Sequence, residues 1–324
     1  MHLLDDFALC AVNEATAWTA YHVLLDVLEF AGLPTEPSKN AAPSQLMQFL
    51  GVVIDTRAQE LSLPPDKVTD INRCIQNIIE RGDRPVATKK LQSIAGKLQF
   101  ATVACMQMRP VLSALYRAGS HDRFFTRVPA EVRRDLRTWA EVLNGATPTV
   151  SPIAWFFSNQ DRAFTSTWCG DASGHEGFGA WCRDGPTPEM FHEAWPGEEW
   201  NQGADDVSST VQELVPLIII VLRHLQPHCS VAYETDSAAL VAAFAKGRSR
   251  VPRINRLLRM IMTHAAAMRS DVRVSWFPRE STYQRAADTL SRGDFQGFSR
   301  LQSTSQARRC KIPDSLLNQV FQGT

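Results

Sequence analysis

Strand-like and helix-like segments alternate over the second half of this chain, which predicts an α/β protein with helices on a central mixed sheet. Three observations carry that reading. Short apolar runs follow one another past residue 155, and helical apolar spacing fills the gaps between them. A composition break at residues 145–152 (GATPTVSP) separates this region from a mainly helical first half. Of the 324 residues, 44% are apolar, enough for two or three separate cores.

In the first half, residues 1–4 and 7–12 flank Asp5 and Asp6 as a hairpin would, with the acids at the turn. Residues 15–31 place apolar side chains at helical spacing and stop at Gly32 and Pro34. Residues 47–54 read as one buried strand and 60–63 as a short one. Pro64 and Pro65 open a helix over 66–81. A second helix spans 88–103, with Thr88 able to cap its start, and more helix follows at 110–116 and 129–143. In the second half, 164–169, 177–182 and 190–195 read as an antiparallel meander. Helices at 208–225, 237–246 and 254–268 alternate with strands at 229–235 and 272–277.

Overall charge names no partner, since 34 basic residues balance 34 acidic ones. Their distribution is more informative. Basic residues dominate from Lys246 to Lys311, whereas acids gather from Glu189 to Asp206. Such a basic stretch is the footprint of a phosphate-binding surface, or else a set of solvated helix faces. Seven scattered cysteines form no CxxC pair and no zinc spacing, which suits buried thiols in a reducing compartment. Asp5 and Asp6 interrupt any N-terminal signal peptide, and the longest apolar stretch, 214–225, contains Pro216 and Arg223 and is too short for a bilayer. The expectation is an intracellular chain without membrane contact, cytoplasm and nucleus being left open.

Four acids stand in segments that a two-metal nuclease could use. Asp171 follows an apolar run and precedes the small residues Ala172, Ser173 and Gly174, which leave room for a substrate backbone. Glu213 lies in a helix, Asp236 ends the strand 229–235, and Asp288 stands as a helix-start carboxylate would. Each has a plainer reading. Asp171 could be a turn residue, and Thr210 with Glu213 also fits a capping box that merely satisfies a helix terminus. Held together, such carboxylates would repel by roughly 4 kcal/mol per neighbouring pair at an effective dielectric near 20. A cluster of that kind persists when it binds cations, and paired cations support phosphodiester hydrolysis.

The segment from about 168 to 292 resembles the ribonuclease H domain of retroelement polymerases. TWCGDASGHEGFGAW is similar to the first-aspartate hairpin, VQELVPLI to the glutamate helix and VAYETDSAAL to the second-aspartate strand and turn. WFPRESTYQRAADTLSR resembles the closing segment, with Gln284 where such elements usually carry asparagine and no histidine in the loop before Asp288. The "AD.LSR" ending is most like DIRS-like or related long-terminal-repeat elements. The resemblance implies a ribonuclease H-like mixed sheet with flanking helices. It implies that Asp171, Glu213, Asp236 and Asp288 bind two Mg²⁺ ions, with Mn²⁺ as a substitute. Ser173, Arg279, Arg285 and Arg292 would contact nucleic acid, with Trp276 either a contact or core. The implied substrate is the RNA strand of an RNA–DNA hybrid, read by 2′-hydroxyls and groove shape.

Upstream, HLLDDFALC resembles the reverse-transcriptase palm motif, with Leu3 in the place of a tyrosine. GLPTEPSKN and MQFLGVVID are similar to the following palm segment and primer grip, and LQSIAGKLQFATVAC to a thumb helix. Asp5 and Asp6 would be remnant metal ligands, and Lys39 would assist pyrophosphate departure. A third polymerase aspartate is expected further upstream, in a palm and fingers portion of the same polyprotein, so no DNA synthesis is expected from this chain alone. Primer–template nucleic acid joins the hybrid as an implied partner. The expected division is a partial palm (1–63), a helical thumb or connection (64–150), the ribonuclease H-like domain (151–295) and a basic tail (296–324). The rival expectations are a nucleic-acid-binding protein without catalysis and another ribonuclease H-fold nuclease.

Overall fold

The computed structural model describes every residue except 1, 4, 5, 34, 121–122, 147–149, 153–163, 187, 201–207, 228, 269, 303–306 and 322–324. It opens on a short antiparallel pair, β1 (His2–Leu3) and β2 (Asp6–Phe7), with Leu3 opposite Asp6. Asp6 therefore stands on a strand and not at the turn, and it is exposed. Asp5 lies outside the described residues. Helix α1 (Glu14–Phe30) starts at Asn13, whose side chain accepts the Thr16 N–H. Only Leu28 of this helix is buried.

The stretch expected as one buried strand is a hairpin of β3 (Leu46–Phe49) and β4 (Val52–Asp55). Leu50 and Gly51 turn it at φ 48° and 75°, the pair of positive dihedrals that a two-residue hairpin loop requires. The apolar run concealed this turn because leucine occupies a position where glycine or asparagine is usual. Strand β5 (Glu60–Ser62) extends the sheet. Next come α2 (Pro65–Ile79), β6 (Val86–Ala87), α3 (Thr88–Ala101), a 3₁₀ segment (Met106–Leu112), α4 (Ser113–Gly119), β7 (Phe125–Thr126) and α5 (Ala130–Glu141). They enclose a core built on Ile75, Leu91, Leu98, Leu115 and Trp139. Thr88 does not cap α3. Its hydroxyl bonds instead to the Arg123 carbonyl and the Thr126 hydroxyl, tying the helix start to β7. Strand β8 (Val150–Pro152) then pairs with β5, so the composition break ends inside the first sheet.

Past the break, β9 (Ser166–Ala172), β10 (Gly177–Asp184) and β11 (Glu189–Ala194) form the expected antiparallel meander. The chain continues as α6 (Ser209–His224), β12 (Ser230–Thr235), α7 (Ala238–Lys246), α8 (Pro252–Ala267), β13 (Asp271–Trp276), α9 (Thr282–Ser291), α10 (Phe295–Leu301), β14 (Arg308–Arg309) and α11 (Asp314–Phe321). The sheet order is β13-β12-β9-β10-β11-β14, with β12 parallel to both β9 and β13. This is the expected mixed sheet with flanking helices. Trp168, Phe178, Phe191 and Tyr233 pack with α6 and α8 in one core, while Cys169 and Trp181 pack with α9 and α10 in another. Because helices cover both faces, β9 and β10 are buried nearly throughout.

Two further findings concern the boundaries. The segment after residue 296, expected as a basic tail, adds β14 to the sheet edge and sends Ile312, Val320 and Phe321 into the main core. The two halves also pack together. Helix α8 lies against the 3₁₀ segment, with Asn255 Nδ2 donating to Ser113 Oγ at 2.9 Å and Arg259 donating to Thr138 Oγ1 at 3.2 Å.

Candidate active site

Sheet register brings two of the acids together. Strand β12 runs parallel to β9 with Glu234 opposite Cys169, so two residues further on Asp236 comes level with Asp171. Both carboxylates thus stand at the carboxyl ends of adjacent parallel strands, where α/β sheets present their sites. Glu213 reaches the same point from α6. One carboxylate oxygen from each of Asp171, Glu213 and Asp236 lies within 4.8 Å of the others, and among the described residues no further group of three acidic, histidine or cysteine side chains converges in this way.

Glu213 is not a cap. Helix α6 begins at Ser208 without a side-chain cap, and Glu213 sits within the helix at 8% exposure. The Thr235 hydroxyl bonds one of its oxygens, whereas Oε2 is shut off from solvent without a partner. Burial, then Asp171 and Asp236, raise its pKa well above the ordinary range. Asp171, also 8% exposed, is raised to about 6, first by burial and then by Asp288 and Asp236. The Ser291 hydroxyl opposes that rise by hydrogen-bonding the Asp171 carboxylate.

Asp288 differs from its expected place. Ser281 caps α9 by accepting the Gln284 N–H, so Asp288 falls in the second half of the helix and not at its start. It lies outside the three-acid group but lines the same open cleft of about 340 Å³. Its Oδ1 accepts from Arg292 Nη2 at 3.1 Å, one helical turn on. Arg279, well exposed, stands 3.8 Å from Asp236 Oδ2 and 3.9 Å from Asp288 Oδ1. Arg279 and Arg292 thus sit against the acids as counter-ions on one rim. Arg285 is exposed on α9. Trp276 is not core: it is 53% exposed and its Nε1 donates to the Asp236 carbonyl.

The opposite rim is the β9–β10 turn. Ser173 is buried, and its hydroxyl bonds to Glu176 within the turn. Trp195 Nε1 donates to the Ser173 carbonyl and Gln212 Nε2 to the Gly174 carbonyl, which fixes the turn from two sides. His175 and Glu176 are thereby held exposed on the cleft wall. Neither stood out in the sequence, because only the turn geometry carries them there. Two buried polar residues were missed or misjudged for a similar reason. Gln284, 1% exposed, donates to the Gly170 carbonyl at 3.1 Å and clamps α9 to β9 beside Asp171. Tyr233 packs its ring against Gly170, where an added Cβ would lie 2.4 Å from the hydroxyl. Gly170 therefore permits the close strand contact behind the acids.

The polymerase-like residues form no such group. Lys39 is exposed in a short 3₁₀ turn and pairs with Glu36 at 2.6 Å, and Asp6 belongs to no acid cluster among the described residues. In contrast, the three-acid group is an all-oxygen donor set with an unpartnered buried oxygen and mutually repelling carboxylates, which fits a hard divalent cation.

No family model and no curated protein matches the chain. Among solved structures it is similar to a foamy viral protease-reverse transcriptase dRH in complex with double-stranded DNA, at 14% identity and a TM-score of 0.38, covering 83% of this chain and 44% of that one. It is likewise similar to a foamy viral protease-reverse transcriptase in complex with RNA/DNA hybrid, at 17% identity and a TM-score of 0.38, covering 83% of this chain and 34% of that one. The chain spans less than half the length of either structure.

Proposed function

We propose that this chain is a metal-dependent nuclease that hydrolyses the RNA strand of RNA–DNA hybrids, as the ribonuclease H portion of a retroelement polymerase of DIRS-like or related long-terminal-repeat type. One observation carries the reading: three buried carboxylates converge within 4.8 Å at an open cleft, with a Glu213 oxygen left without a partner. Asp171, Glu213 and Asp236 would hold the cation directly, and Asp288 would complete the set from α9. Two bound Mg²⁺ ions would supply water activation and charge neutralisation at the leaving oxygen.

The chain's own side chains do the rest. Thr235, Ser291 and Gln284 orient the carboxylates or the backbone next to them. Arg279 and Arg292 neutralise the acids in the free protein and turn to backbone phosphates when substrate enters. His175 and Glu176 face the duplex from the other rim, beside Ser173. Discrimination of RNA would come from 2′-hydroxyls and groove shape. DNA synthesis is not proposed, because Asp6 stands exposed and apart from any acid cluster among the described residues.

The test compares cleavage of labelled RNA–DNA hybrid, DNA duplex and RNA duplex in Mg²⁺ and in EDTA. The expected result is Mg²⁺-dependent cutting of the hybrid's RNA, abolished in both Asp171→Asn and Asp236→Asn. Cutting retained in both variants would overturn the assignment.

A further inference from the structure

Several arginines elsewhere in the fold pair with acids: Arg117 with Glu131, Arg133 with Asp83, Arg183 with Glu234 and Arg223 with Glu189. The stretch from Ser237 to Ser270 offers no such partner of its own. It contains seven Lys and Arg residues and not one Asp or Glu. Among the described residues, Arg248 and Arg256 form neither an ion pair nor a hydrogen bond through their guanidinium groups, and the same holds for Arg109, which meets Gly247 and Arg248 from the helical half.

Arg109 and Arg248 converge on the seam between the halves. Gly247 ends α7 in the left-handed conformation at φ 64°, and a Cβ there would lie 2.9 Å from Arg109 Cδ, so the two chain segments touch. Arg248 then stacks over the Tyr116 ring of α4 at 4.9 Å. The loop is pinned by Asn255, which bonds both Ser249 and Ser113. Arg109 Nε is closed to solvent and has no partner among the described residues. Burial and then the like charge of Arg248 press the Arg109 guanidinium below its ordinary pKa. A half-buried guanidinium such as Arg109, facing the like charge of the exposed Arg248 without a counter-ion, is costly unless an anion joins it, and paired guanidiniums match phosphate oxygens in geometry.

We infer that Arg109 and Arg248 form a backbone-phosphate site for the same hybrid whose RNA strand occupies the acid cleft, an inference that rests on the proposed nuclease reading for its substrate. Helix α7 links the two places. It starts just after Asp236 and runs nine residues to Lys246, about 14 Å at 1.5 Å per residue. That length corresponds to about four nucleotide steps at 3.4 Å along one strand. A duplex that leaves the cleft along α7 would reach the seam, which would then read whether the helical half and the nuclease half are aligned on one duplex.

The experiment measures binding, without cleavage, of the full chain to an RNA–DNA hybrid of about 18 base pairs in EDTA, from 50 to 200 mM salt. Arg248→Gln should bind more weakly and flatten the salt dependence by about 0.9 in the log–log slope, a change of about 3.5-fold in relative affinity across that salt range. Arg248→Lys should restore the slope, and Arg109→Lys against Arg109→Gln should repeat the pattern, with unchanged melting temperatures showing intact folds. A hybrid made neutral at single positions by methylphosphonate should lose its sensitivity to Arg248→Gln only when the neutral link lies about four steps from the scissile one. Wild-type slopes in both Gln variants overturn the seam site even if cleavage occurs. Normal seam behaviour with no cleavage by the wild type in Mg²⁺ overturns the nuclease reading alone. No hybrid binding at all overturns both.

Discussion

Replacing Asp171 by asparagine should make the metal-free protein more stable while abolishing its chemistry. Two carboxylates 4.8 Å apart, the separation that bounds the three-acid group, repel by about 3.5 kcal/mol at an effective dielectric near 20. Burial adds to this repulsion and is the first cause of the raised Asp171 pKa. A carboxyl raised from 3.8 to about 6 weakens the ionised fold by about 3 kcal/mol. Its folded pKa exceeds its unfolded value, so its contribution is fully present below pH 3.8 and lost as pH rises through about 6. At pH 8 the wild type therefore carries the whole penalty. Asparagine removes it and still accepts the Ser291 hydroxyl, a bond worth about 1 kcal/mol. A net gain of about 2–3 kcal/mol raises the melting temperature by about 4–12 °C. Melting in EDTA at pH 8 measures this. Added Mg²⁺ should then stabilise the wild type by mass action and leave Asp171→Asn nearly unmoved. A variant that melts at or below the wild type in EDTA would refute the reasoning, because the buried Asp171 charge would then carry no penalty.

Other outcomes follow from the same site. In EDTA, the difference in melting temperature between wild type and Asp171→Asn should shrink as pH falls from 8 to 5, read by scanning calorimetry, since protonation relieves the wild type alone. Gly179→Ala places a Cβ 2.7 Å from the Leu290 backbone; α9 must shift, at a cost of about 1–3 kcal/mol in urea unfolding, and hybrid cleavage should fall with it. Gln284→Ala strips the buried Gly170 carbonyl of its donor and should cost about 1–3 kcal/mol, whereas substitution at the exposed Arg285 should leave stability unchanged.

Much of the second half was legible because β9, β10 and β12 are buried on both faces and its helices are rich in apolar residues. The meander, α6, β12, α7, α8 and β13 all fall close to their expected spans. The misses have local causes. Leucine at a positive φ hid the hairpin turn at Leu50. Thr88 found partners on β7 and left its helix uncapped. Asp288 falls inside α9 and not at its start because Ser281, seven residues earlier, caps the helix.

The site was legible in part. The pairing of Asp171 with Asp236 follows from strand register, which sequence order only suggests. Glu213 was ambiguous as long as Thr210 could cap the helix, and burial removed that ambiguity. Arg279 was expected on substrate phosphates but rests on the acids themselves in the free protein. His175, Gln212 and Tyr233 gave no signal, because their importance lies in contacts made across the fold.

The central claim is most directly tested by single-turnover reaction of the purified chain with a hybrid labelled on both strands. With Mg²⁺ the RNA strand should be cut and the DNA strand left whole, and Glu213→Gln should abolish cutting while retaining a cooperative melt. An uncut RNA strand with the wild type, or undiminished cutting by Glu213→Gln, would contradict the account.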